Sequence, residues 1–218
     1  MTAQRLDAHM HFWRYSAAEY DWIDARMREL QRDFLPPAAA LEIAAAGVTG
    51  VVAVQARQTL AETAWLLELA EQFSFVRGVV GWADLRSQQL AEQLPNSPVL
   101  SGIRHVVQAE SSGFLELAEF NRGIRELTAR DLSYDLLIHA RQLREATAFV
   151  DRHPEQRFVL DHLAKPLIAR ALLEPWAAGT WLWRELPDHM AGEFEGVIGL
   201  QVDGRWREAA VFLSLIHI

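Results

Sequence analysis

The chain has 218 residues, half of them apolar, with a formal net charge of -8 and a pI near 5.5. That composition is ample for a packed core and argues against general binding to nucleic acid or anionic membrane, which needs concentrated positive charge, so a small molecule is the expected partner. Cysteine is absent, which excludes disulfides, thiolate metal sites and cysteine nucleophiles together and leaves His, Asp, Glu or a carbamylated Lys to hold any metal.

The first predicted strand runs through Arg5-Leu6-Asp7-Ala8-His9-Met10-His11-Phe12-Trp13. A period of two puts Asp7, His9 and His11 on one face, so the imidazoles converge. Converging imidazoles suit a metal ion or a polarised carbonyl, although H-x-H is a short pattern with many accidental matches. Tyr15 to Asp33 reads as a loop with a helical turn. Pro36-Pro37 then opens a helix through Ala46, with proline in the first turn and Gly47 as the stop. Residues 48–56 (VTGVVAVQA) are apolar on both faces, as in a strand covered on both sides.

The alternation continues with helices over 61–73, 87–94, 114–129 and 141–153, and strands over 75–82, 100–107, 134–139 and 157–162. Six strands, five of them preceded by a helical segment, predict parallel β-α units with no linker or boundary before residue 170. No secretory signal pattern and no apolar run of membrane-spanning length occurs, so a cytoplasmic location is expected.

Polar residues gather at the ends of these strands: His9 and His11, Gln55, Trp82 and Asp84, Arg104 and His105, His139, then Asp161 and His162. Active sites of barrels and open α/β sheets lie at the carboxyl ends of strands, so an imidazole-rich site is expected there. Returning polarity after an apolar run explains any one of these residues but less readily the whole series. Of the 21 basic residues only Lys165 is lysine, which singles it out.

The Asp-x-His-x-His opening and Phe158-Val159-Leu160-Asp161-His162-Leu163-Ala164-Lys165-Pro166 together make the chain resemble the amidohydrolase superfamily. Within it the chain looks like the amidohydrolase-2 branch that contains sugar lactonases for L-fuconolactone and L-rhamnonolactone. Tyr20-Asp21-Trp22-Ile23, Val54-Gln55-Ala56 with Glu62, Gly81-Trp82-Ala83-Asp84-Leu85, Gly102-Ile103-Arg104-His105-Val106 and Tyr134-Asp135-Leu136-Leu137 extend the resemblance over residues 5–175. It implies a TIM-like (β/α)8 barrel of the metal-dependent-hydrolase type, here incomplete, with residues 1–179 forming the barrel portion and 180–218 a divergent tail. Val197-Ile198-Gly199-Leu200 faintly suggests a seventh strand, the strand-seven and strand-eight motifs of such relatives are missing, and the final Leu213-Ser214-Leu215-Ile216-His217-Ile218 matches translation of a sequencing adapter. A disturbed reading frame and an incomplete product are therefore expected.

The resemblance implies a hydrolase that opens a small lactone of the aldonolactone type by water attack on the ring carbonyl. It makes His9, His11 and His162 the catalytic candidates, and His9, His11, His139 and His162 the ligands of one divalent metal, zinc first, unless the enzyme works without metal. Trp13, Trp82, Arg104, His105 and Lys165 are the candidate substrate contacts, and alternation lets only one of Arg104 and His105 face inward. The strand-eight Asp expected as general base has no counterpart, and Asp203 lies in an unrelated context. A metal-dependent decarboxylase and an inactive fragment with uncovered sheet edges are the competing readings.

Overall fold

The computed structural model describes residues 5–165 together with the backbone of 200–202 and 205–207. Strands β1 (Leu6–Met10), β2 (Gly50–Val54), β3 (Val76–Gly81), β4 (Leu100–His105), β5 (Ser133–Leu136) and β6 (Phe158–Leu160) form one six-stranded sheet in sequence order. Helices α1 (Pro36–Ala45), α2 (Leu60–Gln72), α3 (Leu90–Gln93), α4 (Ala118–Ala129) and α5 (Leu143–Asp151) alternate with them. Neighbours from β1 to β4 pair in parallel, as do β5 and β6. Sequential order with a helix between successive strands is the topology of the first six β-α units of a (β/α)8 barrel.

All six strands of the sequence reading are present, but each ends before the range expected for it does. The long helix expected over 114–129 is broken at its start. A 3-10 turn, Phe114–Glu116, precedes α4 because Gly113 adopts a left-handed φ of 88° and Glu145 Oε1 accepts the N–H groups of Gly113 and Leu115.

The described residues fall into two compact units, 5–83 with 92–103, and 84–91 with 104–165 and the two short strands near the C-terminus. In the first, Val51, Ala53, Val54, Leu66, Val79 and Ile103 have no exposed surface. Helix α2 starts there because Thr59 Oγ1 accepts the N–H of Glu62, an N-cap that satisfies one otherwise orphaned donor. In the second, Phe120, Tyr134, Phe149 and Phe158 pack largely edge to face, an arrangement favoured by their ring quadrupoles. Helix α4 approaches so closely that a Cβ on Gly123 would lie 2.1 Å from the Leu85 carbonyl oxygen, which explains the glycine inside a helix.

Leu200–Val202 pairs antiparallel with Arg205–Arg207 in a separate two-stranded sheet. The rest of the expected divergent tail, including Val197 to Gly199, lies outside the described residues. Among the described residues no helix is long and apolar enough to cross a membrane.

Candidate active site

In the first unit, His9 sits on β1 and His11 just beyond it, and the rings converge as the period of two requires. Their Nε2 atoms lie 3.2 Å apart, with ring centroids 4.9 Å apart and planes at 85°. His11 Nδ1 lies 2.8 Å from the Val54 carbonyl oxygen. A carbonyl only accepts, so Nδ1 carries the proton and Nε2 presents its lone pair towards His9. Asp7 Oδ1 accepts the His9 N–H and so braces the strand that carries the pair.

These two histidines fit a metal. Nitrogen ligands at tetrahedral zinc, with bonds of about 2.0–2.1 Å, stand about 3.3–3.4 Å apart, close to the observed separation. A ligating imidazole also ordinarily donates its other N–H to a carbonyl or carboxylate, as His11 does.

Trp13 is buried, its indole N–H donates to the carbonyls of Leu30 and Arg32, and its ring packs among Tyr20, Trp22 and Phe34. It anchors the loop after β1. Trp82 is half-buried at the exit of β3, where its N–H donates to Thr63 Oγ1 and its carbonyl accepts from the same hydroxyl. Gln55 is buried at the exit of β2.

A cluster that the strand-end pattern did not assign a task surrounds that exit. Glu62 Oε2 accepts the N–H groups of Ala56 and Arg57, and its Oε1 accepts the Tyr20 hydroxyl. Arg57 Nη1 pairs with Glu19 at 2.6 Å, and its guanidinium lies 5.1 Å over the Tyr20 ring. Burial raises Glu62 from 4.5 to about 6, against the pull of the Arg57 and Ala56 N–H groups and the Arg57 charge. Burial, reinforced by the Glu62 charge, also raises the Tyr20 hydroxyl.

The Glu62 shift carries a sign for stability. Between its unfolded and folded values the folded state binds more protons, so stability falls as pH rises through that window and is level above it. The expected loss from Glu62 is on the order of 2 kcal/mol between pH 4.5 and 6.5. Urea unfolding across that range checks this: Glu62→Gln should lack this part of the slope, and parallel wild-type and variant curves would refute it.

In the second unit, β4 settles which of two neighbours faces which way. Arg104 Nη1 donates to Asp161 Oδ2 at 2.9 Å, with side chains 5% and 0% exposed. His105 points to the opposite side, where its ring stacks on Phe114 and its Nε2 meets Glu110 at 2.8 Å. Burial lowers the His105 pKa, partly offset by Glu110.

His162 and Lys165 follow β6 in an unusual turn. His162, Leu163, Ala164 and Lys165 all have φ between 50° and 57°, a left-handed run without glycine, closed by the Lys165 N–H donating to the His162 carbonyl. Each such residue costs roughly 1–2 kcal/mol, a strain that persists where surrounding structure over-determines it and that clusters at functional sites. Burial lowers the pKa of His162, with Lys165 and Arg104 adding to the shift. Burial and Arg104 likewise lower Lys165. His139 is half-buried past the end of β5, its N–H donating to Gln142 Oε1, and its pKa is lowered by burial, then by Lys165 and Arg141.

Asp135, on β5, is buried, and its carboxyl is pushed well above the usual range by burial and by the Asp161 charge. The strand-end pattern pointed to neither Asp135 nor Glu110. Asp135 lies inside a strand, and Glu110 is an acidic residue five positions beyond the histidine it meets.

The amidohydrolase family model known as amidohydrolase-2 matches residues 6–212. The chain belongs to this family. Among the amidohydrolases, an L-fucono-1,5-lactonase of Burkholderia multivorans is 40% identical over 226 residues, covering 100% of this chain and 75% of the relative. An L-fucono-1,5-lactonase of Burkholderia ambifaria is 32% identical, covering 98% of this chain and 72% of the relative. The crystal structure of an amidohydrolase from Burkholderia multivorans with bound zinc superimposes with a TM-score of 0.78 at 44% identity. That match covers 81% of this chain and 64% of the crystallised one, so the chain spans just under two thirds of that amidohydrolase.

Proposed function

We propose that this amidohydrolase opens a small sugar lactone of the aldonolactone type by hydrolysis. The observation that carries the reading is its 40% identity, along the whole chain, to an L-fucono-1,5-lactonase. The paired Nε2 atoms of His9 and His11 and the zinc in the related crystal structure support a metal-assisted version of it.

In this reading His9 and His11 hold one divalent metal, zinc first. A bound metal would supply Lewis acidity towards the ring carbonyl. The chain's own residues do the rest. His11 is kept by Val54 in the tautomer whose Nε2 lone pair is directed at the His9 ring. His162, its pKa lowered chiefly by burial, can donate an N–H to the charge that develops on the carbonyl oxygen where no metal is bound. Lys165 provides a cation for a substrate hydroxyl or for charge on the carbonyl oxygen, and Trp82 provides a ring face for the sugar. Arg104, His105 and Trp13, the other candidate substrate contacts, are held by Asp161, Glu110 and the carbonyls of Leu30 and Arg32 respectively.

Purified protein should release protons from L-fucono-1,5-lactone, followed with a pH indicator, and a stereoisomeric panel would rank related aldonolactones. Chelation should abolish the release and zinc should restore it. Release of carbon dioxide from aromatic acids, with every lactone untouched, would overturn the proposal.

A further inference from the structure

The chain leaving β2 is bound at four successive residues. The Val54 carbonyl accepts from His11 Nδ1 at 2.8 Å, and the Gln55 N–H donates to the Val80 carbonyl at 2.8 Å. The N–H groups of Ala56 and Arg57 both donate to Glu62 Oε2, at 3.0 and 2.6 Å. The other Glu62 oxygen receives the hydroxyl of Tyr20, from the loop after β1, at 3.4 Å. Glu62 and Tyr20 are 1% and 2% exposed.

Helix capping does not explain this carboxylate. A glutamate three residues after a threonine N-cap ordinarily folds back onto the cap's own N–H, yet Glu62 reaches past it to Ala56 and Arg57. Nor is simple loop closure a sufficient reason. A buried carboxylate is costlier than a neutral acceptor, and what offsets that cost here is a pair of charge-assisted bonds to consecutive N–H groups. The segment so held carries the carbonyl that sets the His11 ring.

We propose that Glu62 is a positioning residue for the histidine pair: by pinning Ala56 and Arg57 it holds the Val54 carbonyl against His11 Nδ1, and so fixes the tautomer of His11 and the aim of its Nε2 at His9. The inference rests on His11 serving the site described above, but it can be read without turnover.

The test is a long-range proton–nitrogen correlation spectrum of the 218-residue protein, metal-free, followed by a zinc titration. Wild type should show His11 protonated at Nδ1 alone. Glu62→Ala should show mixed His11 tautomers and bind zinc about 10-fold more weakly or worse, the usual scale for loss of an outer-shell partner. Glu62→Gln keeps an oxygen acceptor and should recover most of both. Leu69→Ala, a buried change on the same helix, should lower thermal stability and leave the His11 signal alone. If Glu62→Ala does not fold, Glu62→Asp, whose carboxylate falls one methylene short of the two amides, decides by the same criterion. A wild-type His11 signal in Glu62→Ala, or in Glu62→Asp where the alanine variant does not fold, or an equal change in Leu69→Ala, overturns the proposal. A tautomer change without lactonase activity in wild type would instead reject the proposed function and leave Glu62's role standing.

Discussion

His11→Ala is expected to lower kcat/KM for the lactone by about 10²–10³-fold, the scale found when one well-placed stabilising group is removed from an active site. The reason lies in how firmly the ring is set. Its Nδ1 is taken by the Val54 carbonyl, and its Nε2 stands 3.2 Å from His9 Nε2, so deletion removes one member of the pair and leaves the other without its counterpart. His11 is only half-buried, so the fold should tolerate the change, and a thermal melt close to wild type would confirm that the loss is one of function. Zinc binding should weaken in parallel. Near-wild-type turnover with unchanged zinc affinity would remove His11 from the site.

Arg104→Met should destabilise the protein by about 3–5 kcal/mol, because breaking a buried ion pair from one side strands the other charge. Both side chains of the Arg104–Asp161 pair are almost wholly buried. The double variant Arg104→Met with Asp161→Asn removes the stranded charge and should recover a substantial part of the loss. Urea unfolding of the two variants decides the matter. A single variant as stable as wild type, or a double variant no better than the single, would show that the pair does not carry this load.

The Arg104–Asp161 pair also shows where reading the sequence stopped. Alternation along β4 required Arg104 and His105 to face opposite ways, yet nothing local to the strand could say which way each went. That was decided by a partner 57 positions on for Arg104, and by the ring of Phe114 and the carboxylate of Glu110 for His105. Trp13 was equally open as a stacking face or a packed ring, and the carbonyls of Leu30 and Arg32 that receive its N–H lie in a loop with no periodicity to reveal them. Glu62 was visible in the sequence only as part of a resemblance.

By itself the sequence determined the order of strands and helices, because each buried element repeats its apolar residues at its own period and parallel neighbours need a helical crossover between them. It also determined that the imidazoles of His9 and His11 share a face, since a separation of two along an extended chain leaves no other choice. Tertiary structure alone decided the rest: which carbonyl holds His11, which carboxylate neutralises Arg104, and that His162 and Lys165 ride on a left-handed turn without glycine. Those features depend on groups distant in sequence, or on a conformation costly in isolation, and only packing can meet such a cost.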